Sequence, residues 1–179
     1  VSVRILRSWD VPASFHARYS AMAREYRYFA VQGFGRDAFM DCLVTRLKEM
    51  PDLGVLNSYA VQLVGTHDFT TFASAKDICP SKYRDIYESV FTMERSMYGD
   101  DVLCYKVCGN AFLYHMVRSL VGTMLEMAGN GCSAAEFKDV LDSCDRRRAG
   151  KTAPSDGLYL WRVSYDPDEY QWFEDRYGR

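Results

Sequence analysis

The chain has 179 residues, 48% of them hydrophobic and 26% charged, with a formal net charge of −2 at pH 7. This length and composition are typical of one globular domain with a substantial core. No stretch approaches about 18 consecutive apolar residues, and the N-terminus VSVRILRSWD lacks the apolar core of a signal peptide. We therefore expect a cytoplasmic protein that neither spans a membrane nor is exported. The chain begins at Val1 in a segment typical of a strand, so we expect the natural chain to continue upstream.

The first third of the chain has the patterns of two strands and one helix. VSVRILRSW alternates and predicts a strand, and YSAMAREYRYFAV predicts a longer one, although residues 21–25 fit a helix equally well. Residues 39–50 have no clear pattern. Behind Pro51-Asp52 a helix is predicted that ends at Gly65. Its apolar face consists of Val55, Leu56, Tyr59, Ala60, Leu63 and Val64.

The rest of the chain predicts a hairpin, two helices and a closing strand. YRDIYESVFTMERSMY and VLCYKVC, separated by Gly99-Asp100-Asp101, indicate an antiparallel hairpin. A long helix is predicted over residues 111–128, and a shorter one over 133–143 with a capping box of Ser133 and Glu136. GLYLWRVSY is the closing strand, followed by an acidic and aromatic tail. We predict an α+β domain, a mainly antiparallel sheet backed by two or three helices.

An arginine lies in the middle of the apolar run GNAFLYHMVRSLVGTMLEMAGN. The apolar residues of this helix form a core stripe, and a second face carries polar and small residues. These are Ala111, His115, Arg118, Gly122 and Glu126. Burying a guanidinium is costly unless an anion meets it, so we expect Arg118 to have an anionic partner. Gly122 would let another backbone approach closely. An arginine whose charged end simply reaches solvent is the alternative.

The six cysteines and the distribution of charge restrict the kind of site. No C-x-x-C pair occurs, so we interpret the cysteines as reduced thiols and expect no zinc site. They are Cys42, Cys79, Cys104, Cys108, Cys132 and Cys144. Residues 1–36 carry six arginines against two acids, a net of +4 that leaves −6 for the rest of the chain. A local anion-binding face requires such segregation, although the average charge does not suggest a nucleic-acid binder.

Four segments, in order along the chain, resemble the tRNA pseudouridine synthase A family. They are FHARYSAMAREYRYF, LVGTHDFTTF, GNAFLYHMVRSLVGTMLEM and RRRAGKTAPSDGLYLWRVSY. The resemblance covers nearly the whole chain and implies the C-terminal half of the pseudouridine synthase fold. It further implies an enzyme that isomerises uridines in the anticodon arm of tRNA, as a homodimer, without metal or organic cofactor. The family's nucleophilic aspartate belongs to a GRTD-type motif upstream of the first segment, and these 179 residues contain no such motif. The resemblance thus makes residues 1–179 a C-terminal domain that supplies the shell of the pocket but not its nucleophile.

The resemblance assigns roles to three residues. Arg118 matches the arginine that pairs with the upstream aspartate and keeps that carboxylate ionised. Tyr26 matches the tyrosine that stacks on the flipped base and assists the final deprotonation, and Leu158 matches the apolar residue that closes the base pocket. Without the family, a strand tyrosine and this leucine would be interpreted as core residues.

Several basic residues are candidates for contacts with the RNA backbone. His115 either contacts RNA or is a structural histidine. The run Arg146, Arg147, Arg148 and Lys151 is either a solvated face or a phosphate-binding one. Among His16, Arg18, Arg24 and Arg27, strand alternation places some on the RNA side, and Arg24 is favoured over Arg27. Asp156 stands where the family commonly has no acid, in TAPSDGLYL, and is expected to weaken RNA contact.

Two other functions are compatible with parts of the sequence. A non-catalytic RNA-binding module would keep the pocket shell and have no nucleophile. A protein–protein interaction domain is disfavoured, because it has no need for an arginine on a buried helical face. Asp68 and Asp77 follow the first predicted helix, and neither is expected to replace the upstream aspartate, since a misplaced catalytic group is ineffective.

Overall fold

The computed structural model describes residues 3–8, 10–33, 40–96 and 99–165. Within them the chain forms one six-stranded sheet and three α-helices. The strands are β1 (Ala23–Gln32), β2 (Thr45–Leu47), β3 (Gly65–Asp68), β4 (Tyr83–Arg95), β5 (Asp101–Gly109) and β6 (Leu158–Ser164), and the helices are α1 (Leu53–Ala60), α2 (Met116–Gly129) and α3 (Ala134–Asp142). Single 3₁₀ turns occupy Val61–Leu63, Thr70–Phe72 and Arg146–Arg148.

The sheet has the order β2-β1-β5-β4-β3, and β6 also pairs with β1. The edge of β1 opposite β5 is shared: β6 pairs with its first six residues, and β2 pairs with residues 30–32. The β1–β2 pair is parallel and the other pairs are antiparallel. The predicted mainly antiparallel sheet backed by helices is confirmed.

One face of the sheet packs against the helices and forms the main core. Alternation along β1 directs Tyr28 and Ala30 to this face, where they join Tyr105 of β5 and Phe91 of β4. The helices contribute their apolar stripes to the same cluster, for example Leu120 of α2. The opposite face carries charged and aromatic side chains. They include Glu25, Arg27, Phe29, Tyr159 and Trp161.

The predicted helix starts hold where a capping side chain specifies them, but the first helix, predicted to end at Gly65, ends at Ala60 and is followed by a 3₁₀ turn over Val61–Leu63. Asp52 accepts a hydrogen bond from the Val55 N–H at 2.8 Å and begins α1. The predicted capping box of α3 is present in both directions, between Ser133 and Glu136. Such caps satisfy the free N–H groups of the first turn, so their sequence pattern is local and readable.

Two expectations about elements were wrong, and a segment without a predicted element contains one. Residues 3–8 form no strand within the described chain, and Val3, Ile5 and Leu6 are exposed, so alternation there was misleading. Helix α2 begins at Met116 rather than at residue 111, because His115 adopts a left-handed conformation with φ of 62°. Ala111 is therefore not on the helix. The segment without a pattern, of which residues 40–50 are described, supplies turns and β2.

The C-terminal tail, the cysteines and membrane-spanning segments are the remaining features about which the sequence makes predictions. The acidic and aromatic tail from residue 166 lies outside them. All six cysteines are free thiols, two of them buried in β5. Among the described residues, no helix is long and apolar enough to cross a membrane.

Candidate active site

Strand β1 presents Tyr26 on the face that the helices cover. Tyr26 lies between Val107 of β5 and Leu160 of β6, and its ring meets Phe112 edge-on with centroids 5.0 Å apart. The side chain is half-buried. Burial raises the pKa of the Tyr26 phenol, and the nearby Arg24 cation partly opposes that rise. The phenol is therefore neutral at pH 7 and presents an aromatic surface beside Phe112.

Arg118, in the first turn of α2, is fixed by a backbone carbonyl from a distant part of the chain. Its Nε donates to the Ala153 carbonyl at 2.7 Å, and the Ala153 N–H donates to the Arg118 carbonyl at 3.0 Å. Its side chain is half-buried. Because Nε is committed to Ala153, the fork of Nη1 and Nη2 is held in a defined direction and remains able to donate to an anion.

The second face of α2 packs against residues 150–153, as the sequence predicted for Gly122. A Cβ at Gly122 would collide with the Lys151 carbonyl oxygen and approach the Ala153 nitrogen to 2.9 Å. One turn further along, the Glu126 carboxylate accepts the Lys151 N–H at 3.0 Å. Thr123 adds a hydrogen bond from the Gly150 N–H to its hydroxyl at 3.0 Å. Arg118, Gly122 and Glu126 thus all contribute to holding this segment along the helix.

The same segment leads directly into β6 and places Leu158. Leu158 is the first residue of β6, pairs with Tyr28 and is half-buried against the main core. Tyr28 donates from its hydroxyl to the Pro154 carbonyl at 3.0 Å, which fixes the chain between Ala153 and Leu158. Burial raises the pKa of Tyr28, and the Arg118 cation acts in the opposite direction, so these two side chains are close enough to interact.

The three residues that the resemblance singled out therefore adjoin one short stretch of β1. Tyr26 belongs to it, Leu158 pairs with Tyr28, and Arg118 is bound to the segment that Tyr28 holds. The sequence did not indicate that these residues adjoin, because Tyr26 and Leu158 lie far apart in the chain. The pairing of β1 with β6 brings them together.

Residues 110–115, which we call the pocket loop, connect β5 to α2. Phe112 packs on Tyr26, and the rings of Tyr114 and His115 stack with centroids 4.0 Å apart. Burial lowers the pKa of His115, and the Arg118 and Lys76 cations lower it further. His115 is thus beside Arg118, as its position immediately before the first helical turn suggests, and it is disposed to be neutral.

Arg24 and Arg27 lie on opposite faces of β1. The Arg24 guanidinium, on the Tyr26 face, donates to the carbonyls of Ala21 and Asn110 at 2.9 and 2.5 Å, and also to that of Arg18. Arg27, on the other face, pairs with the buried Glu25 at 2.8 Å and lies over the Trp161 ring. Arg24 therefore ties two loops together beside the pocket, and its role as an RNA contact remains a prediction.

The basic run before β6 is spread around a 3₁₀ turn. Arg146 donates to Thr152 at 3.1 Å and Arg148 to the Asp139 carbonyl at 3.0 Å. Arg147 is 90% exposed and pairs with Asp145 at 2.8 Å, and its hydrogen bonds lower the pKa of Asp145 to about 2. Lys151 is exposed. Of the four, Lys151 is the side chain most available to a phosphate.

Asp68, at the end of β3, and Asp77 are both engaged in hydrogen bonds within the chain. Asp68 Oδ1 accepts hydrogen bonds from the N–H and hydroxyl of Thr70, at 2.8 and 2.6 Å. The Asp77 carboxylate is 6% exposed and is held by Lys82 and by two backbone N–H groups. Among the described residues, no group of three or more histidines, cysteines and acids could hold a metal ion.

Sequence reasoning missed several members of this site. Tyr28 could have been found, because it is two residues from Tyr26 and so shares its face. Phe112 had a weaker signal, as an aromatic residue beside the predicted helix. The Ala153 carbonyl had none, since every residue has a carbonyl and only the fold decides which one meets Arg118.

The chain is similar to known proteins over most of its length. A family model described as tRNA pseudouridine synthase matches residues 59–166, more than half of the chain. A tRNA pseudouridine synthase A of Anoxybacillus flavithermus is 43% identical over 157 residues, which are 88% of this chain and 61% of the relative. Proteins of the same name from Treponema denticola and Bacillus pumilus are 39% and 40% identical, over 93% and 92% of this chain and 60% and 64% of the relatives. The chain thus spans about three fifths of the length of these relatives.

Proposed function

The chain belongs to the tRNA pseudouridine synthase family, and on that premise we propose that it forms the C-terminal part of an enzyme that converts uridine in tRNA to pseudouridine. The observation that carries the proposal is the fixed guanidinium of Arg118, aligned by the Ala153 carbonyl next to the stretch of β1 that bears Tyr26. The uridines are those of the anticodon arm, as the family resemblance implies.

In this proposal Arg118 serves a carboxylate supplied by the chain upstream of residue 1. The relatives extend beyond the part that this chain matches, which leaves room for such a segment. A carboxylate in an enclosed pocket tends to become protonated, and a guanidinium at hydrogen-bonding distance opposes that by stabilising the charged form. The planar fork can also make a two-point contact that orients the carboxylate.

The reaction changes bonds at both the base and the ribose of the target uridine. The target uridine leaves its stack, the bond between ribose and the base nitrogen breaks, and the base turns and rejoins through carbon. The carboxylate either attacks the ribose or abstracts a proton from it. Tyr26 stacks on the base, and because burial keeps its phenol neutral it assists the last deprotonation as a hydrogen-bonding group while the proton leaving the carbon passes to water. Leu158 closes the pocket and excludes water around the turning base.

The proposed partners are tRNA and a second copy of the complete protein, without a small-molecule cofactor, in the cytoplasm. Three of the candidate basic residues lie close to the candidate site. Lys151 belongs to the segment 150–153, Arg147 lies just before that segment, and the half-buried His115 belongs to the pocket loop. These positions support contact with the RNA backbone. Light scattering of the complete protein tests the homodimer.

A tritium-release assay on uracil-labelled tRNA tests the function. The complete protein is expected to release tritium, and the 179-residue chain alone is expected to release none, because transition-state stabilisation requires the absent carboxylate. Turnover by the chain alone would mean that one of its own carboxylates partners Arg118.

The same assay distinguishes the non-catalytic alternative. A complete protein that binds tRNA without any tritium release would be an RNA-binding module with the same fold. The carboxylate itself is identified by replacing each upstream aspartate with asparagine and looking for the one whose loss abolishes release.

A further inference from the structure

The pocket loop carries two side chains of the candidate site and leads into the helix that bears a third. Phe112 packs on Tyr26, His115 lies beside Arg118, and α2 begins one residue after the loop. Any shift of this loop therefore moves the support of Tyr26 and the start of the helix together. The loop itself lacks regular structure, so specific contacts must define its position.

Asp77, in the segment after the second 3₁₀ turn, makes one of these contacts with a nearly fully buried carboxylate. Its Oδ2 accepts the Tyr114 N–H at 2.6 Å. Its Oδ1 accepts the Lys82 ammonium at 2.6 Å and the Cys79 N–H at 2.9 Å. Burial alone would raise the pKa of Asp77, but these hydrogen bonds outweigh it and lower the pKa. The carboxylate is therefore ionised at pH 7, and its bonds are of the stronger, charge-assisted kind.

The contact falls at the point where the loop is most strained. Tyr114 receives a second bond at its carbonyl, from the Ser74 N–H at 3.1 Å, so both of its backbone groups are held by the same segment. The next residue, His115, has the left-handed backbone that costs a non-glycine residue of order 1 kcal/mol. Holding Tyr114 on both sides stabilises that conformation and sets the direction in which α2 starts.

We propose that Asp77 is a positioning residue for the proposed reaction, fixing the pocket loop so that Phe112 supports Tyr26 and α2 presents Arg118 to the incoming carboxylate. The inference rests on the proposed function. Asp77 acts through the loop and not on the substrate. Its loss should slow the chemical step more than it weakens tRNA binding, since most of the proposed RNA contacts, Arg147 and Lys151 among them, lie outside the loop.

Asp77→Asn in the complete protein tests the proposal. The amide keeps one acceptor but cannot accept from Tyr114, Lys82 and Cys79 at once, so the loop should relax. The single-turnover rate at saturating tRNA should fall at least tenfold, since a displacement of about 1 Å of catalytic groups can lose 10²-fold. The tRNA dissociation constant should change less than about threefold, which corresponds to about 0.7 kcal/mol.

Glu136→Ala is the matched control. The Glu136 carboxylate also accepts a backbone N–H, that of Ser133 at 2.7 Å, but it caps α3 and touches nothing in the candidate site. A variant that acts only through stability would lower the melting temperature without lowering the rate well below that temperature. We therefore expect Glu136→Ala to melt earlier and to react at the wild-type rate.

Asp77→Glu is a second variant, and it tests the proposal even if Asp77→Asn does not fold. It keeps the charge but moves the oxygens by one methylene, and its rate should fall between those of wild type and Asp77→Asn. Wild-type rates in both folded variants, or in the glutamate variant if the asparagine variant does not fold, would overturn the inference. A wild-type protein without pseudouridine formation would instead overturn the proposed function.

Discussion

Arg118 is tolerated within an apolar helix because its side chain is divided between two environments. Nε is satisfied by the Ala153 carbonyl, while the half-buried position leaves the outer nitrogens accessible. A buried polar group costs free energy when it lacks a hydrogen bond, so the carbonyl lowers the cost of keeping a guanidinium here. What remains is an oriented cation suited to an ionised carboxylate.

Replacing Arg118 tests that role in the complete protein. Arg118→Ala should leave an enclosed carboxylate without its partner, at a cost of roughly 3–5 kcal/mol if the charge persists. Activity should collapse while tRNA affinity changes little, as measured by single-turnover rates and filter binding. Arg118→Lys should recover part of the rate, because an ammonium cannot reproduce a planar two-point contact.

Lys138→Ala is the control for the loss of charge. Lys138 pairs with Asp142 on the exposed side of α3, and such surface pairs contribute little. It should react as wild type does. Wild-type turnover by Arg118→Ala would show that the guanidinium serves only to hold residues 150–153.

His115 should make stability depend on pH in one direction. Its pKa in the folded protein lies below the ordinary 6.5, first because of burial and then because of the Arg118 and Lys76 cations. As pH falls below 6.5 the unfolded chain takes up the proton before the folded one, so the free energy of unfolding decreases until the lower folded pKa is passed. Above 6.5 both states are neutral and the effect vanishes.

The measurement compares urea unfolding of wild type and His115→Asn between pH 5 and pH 8. Asparagine tolerates the left-handed backbone of this position, so the variant should remain folded. The wild type should lose stability relative to the variant as pH falls. Parallel curves would indicate that His115 titrates normally.

Helix α2 has two faces with different partners, and both follow from its sequence period. The apolar stripe, including Leu120 and Met124, is buried in the core, and the second face receives residues 150–153. A backbone segment can lie so close to a helix only where a side chain is missing, which is why Gly122 stands between Arg118 and Glu126.

Gly122→Ala is expected to be strongly destabilising although alanine is the better helix former. The new methyl would meet the Lys151 carbonyl, a backbone group that cannot move without breaking the Arg118–Ala153 pair. Overpacking of this kind costs about 1–3 kcal/mol or more. Gly129→Ala, at the end of the same helix with open space around its Cβ, should instead gain up to about 1 kcal/mol.

Urea unfolding curves of the two variants give the comparison directly. Equal stabilities would show that residues 150–153 are not held along α2. The activity of Gly122→Ala in the complete protein should fall as well, because the same segment aligns Arg118 and leads to Leu158.

The elements divide into those that the sequence predicts and those that it does not. The hairpin β4–β5, α1, α3 and β6 were predicted from period, turns and caps, all of which are local. The pocket loop was predicted as helix, because apolar spacing extends into residues 111–115 while the backbone there is fixed by Ser74 and Asp77. Residues 3–8 alternate like a strand but have no neighbouring strand in the described sheet.

At the scale of the molecule, charge segregation overstates the basic surface available to RNA. Of the basic residues in the N-terminal part, Arg27 is paired with Glu25 and Arg24 donates to three carbonyls. The exposed Lys151, on the segment that leads to Leu158, is better placed for a phosphate. Part of the net +4 of residues 1–36 is therefore committed to contacts within the chain.

Binding of tRNA to the complete protein should weaken steeply with salt. Each phosphate contact contributes a log–log slope of about −0.7 to −0.9 through counterion release. Lys151→Ala should reduce the slope by about one such unit. Arg27→Ala, on the opposite sheet face, should leave it unchanged. A salt-independent dissociation constant, or equal slopes in all three proteins, would contradict the electrostatic account.

The sequence by itself determined the class of fold and the amphipathic faces of the helices and, through the family resemblance, the candidate site residues. It could do so because period, caps and motifs are carried by side chains that are neighbours in the chain. Only the tertiary structure decided that Arg118 binds the Ala153 carbonyl, that Tyr28 links Pro154 to the strand of Tyr26, and that Asp77 holds the pocket loop. These contacts join residues 35, 126 and 37 positions apart. Two of them end on backbone carbonyls and one on a backbone N–H, groups that every part of the chain possesses, so the packing of the sheet and helices selects which of them meet.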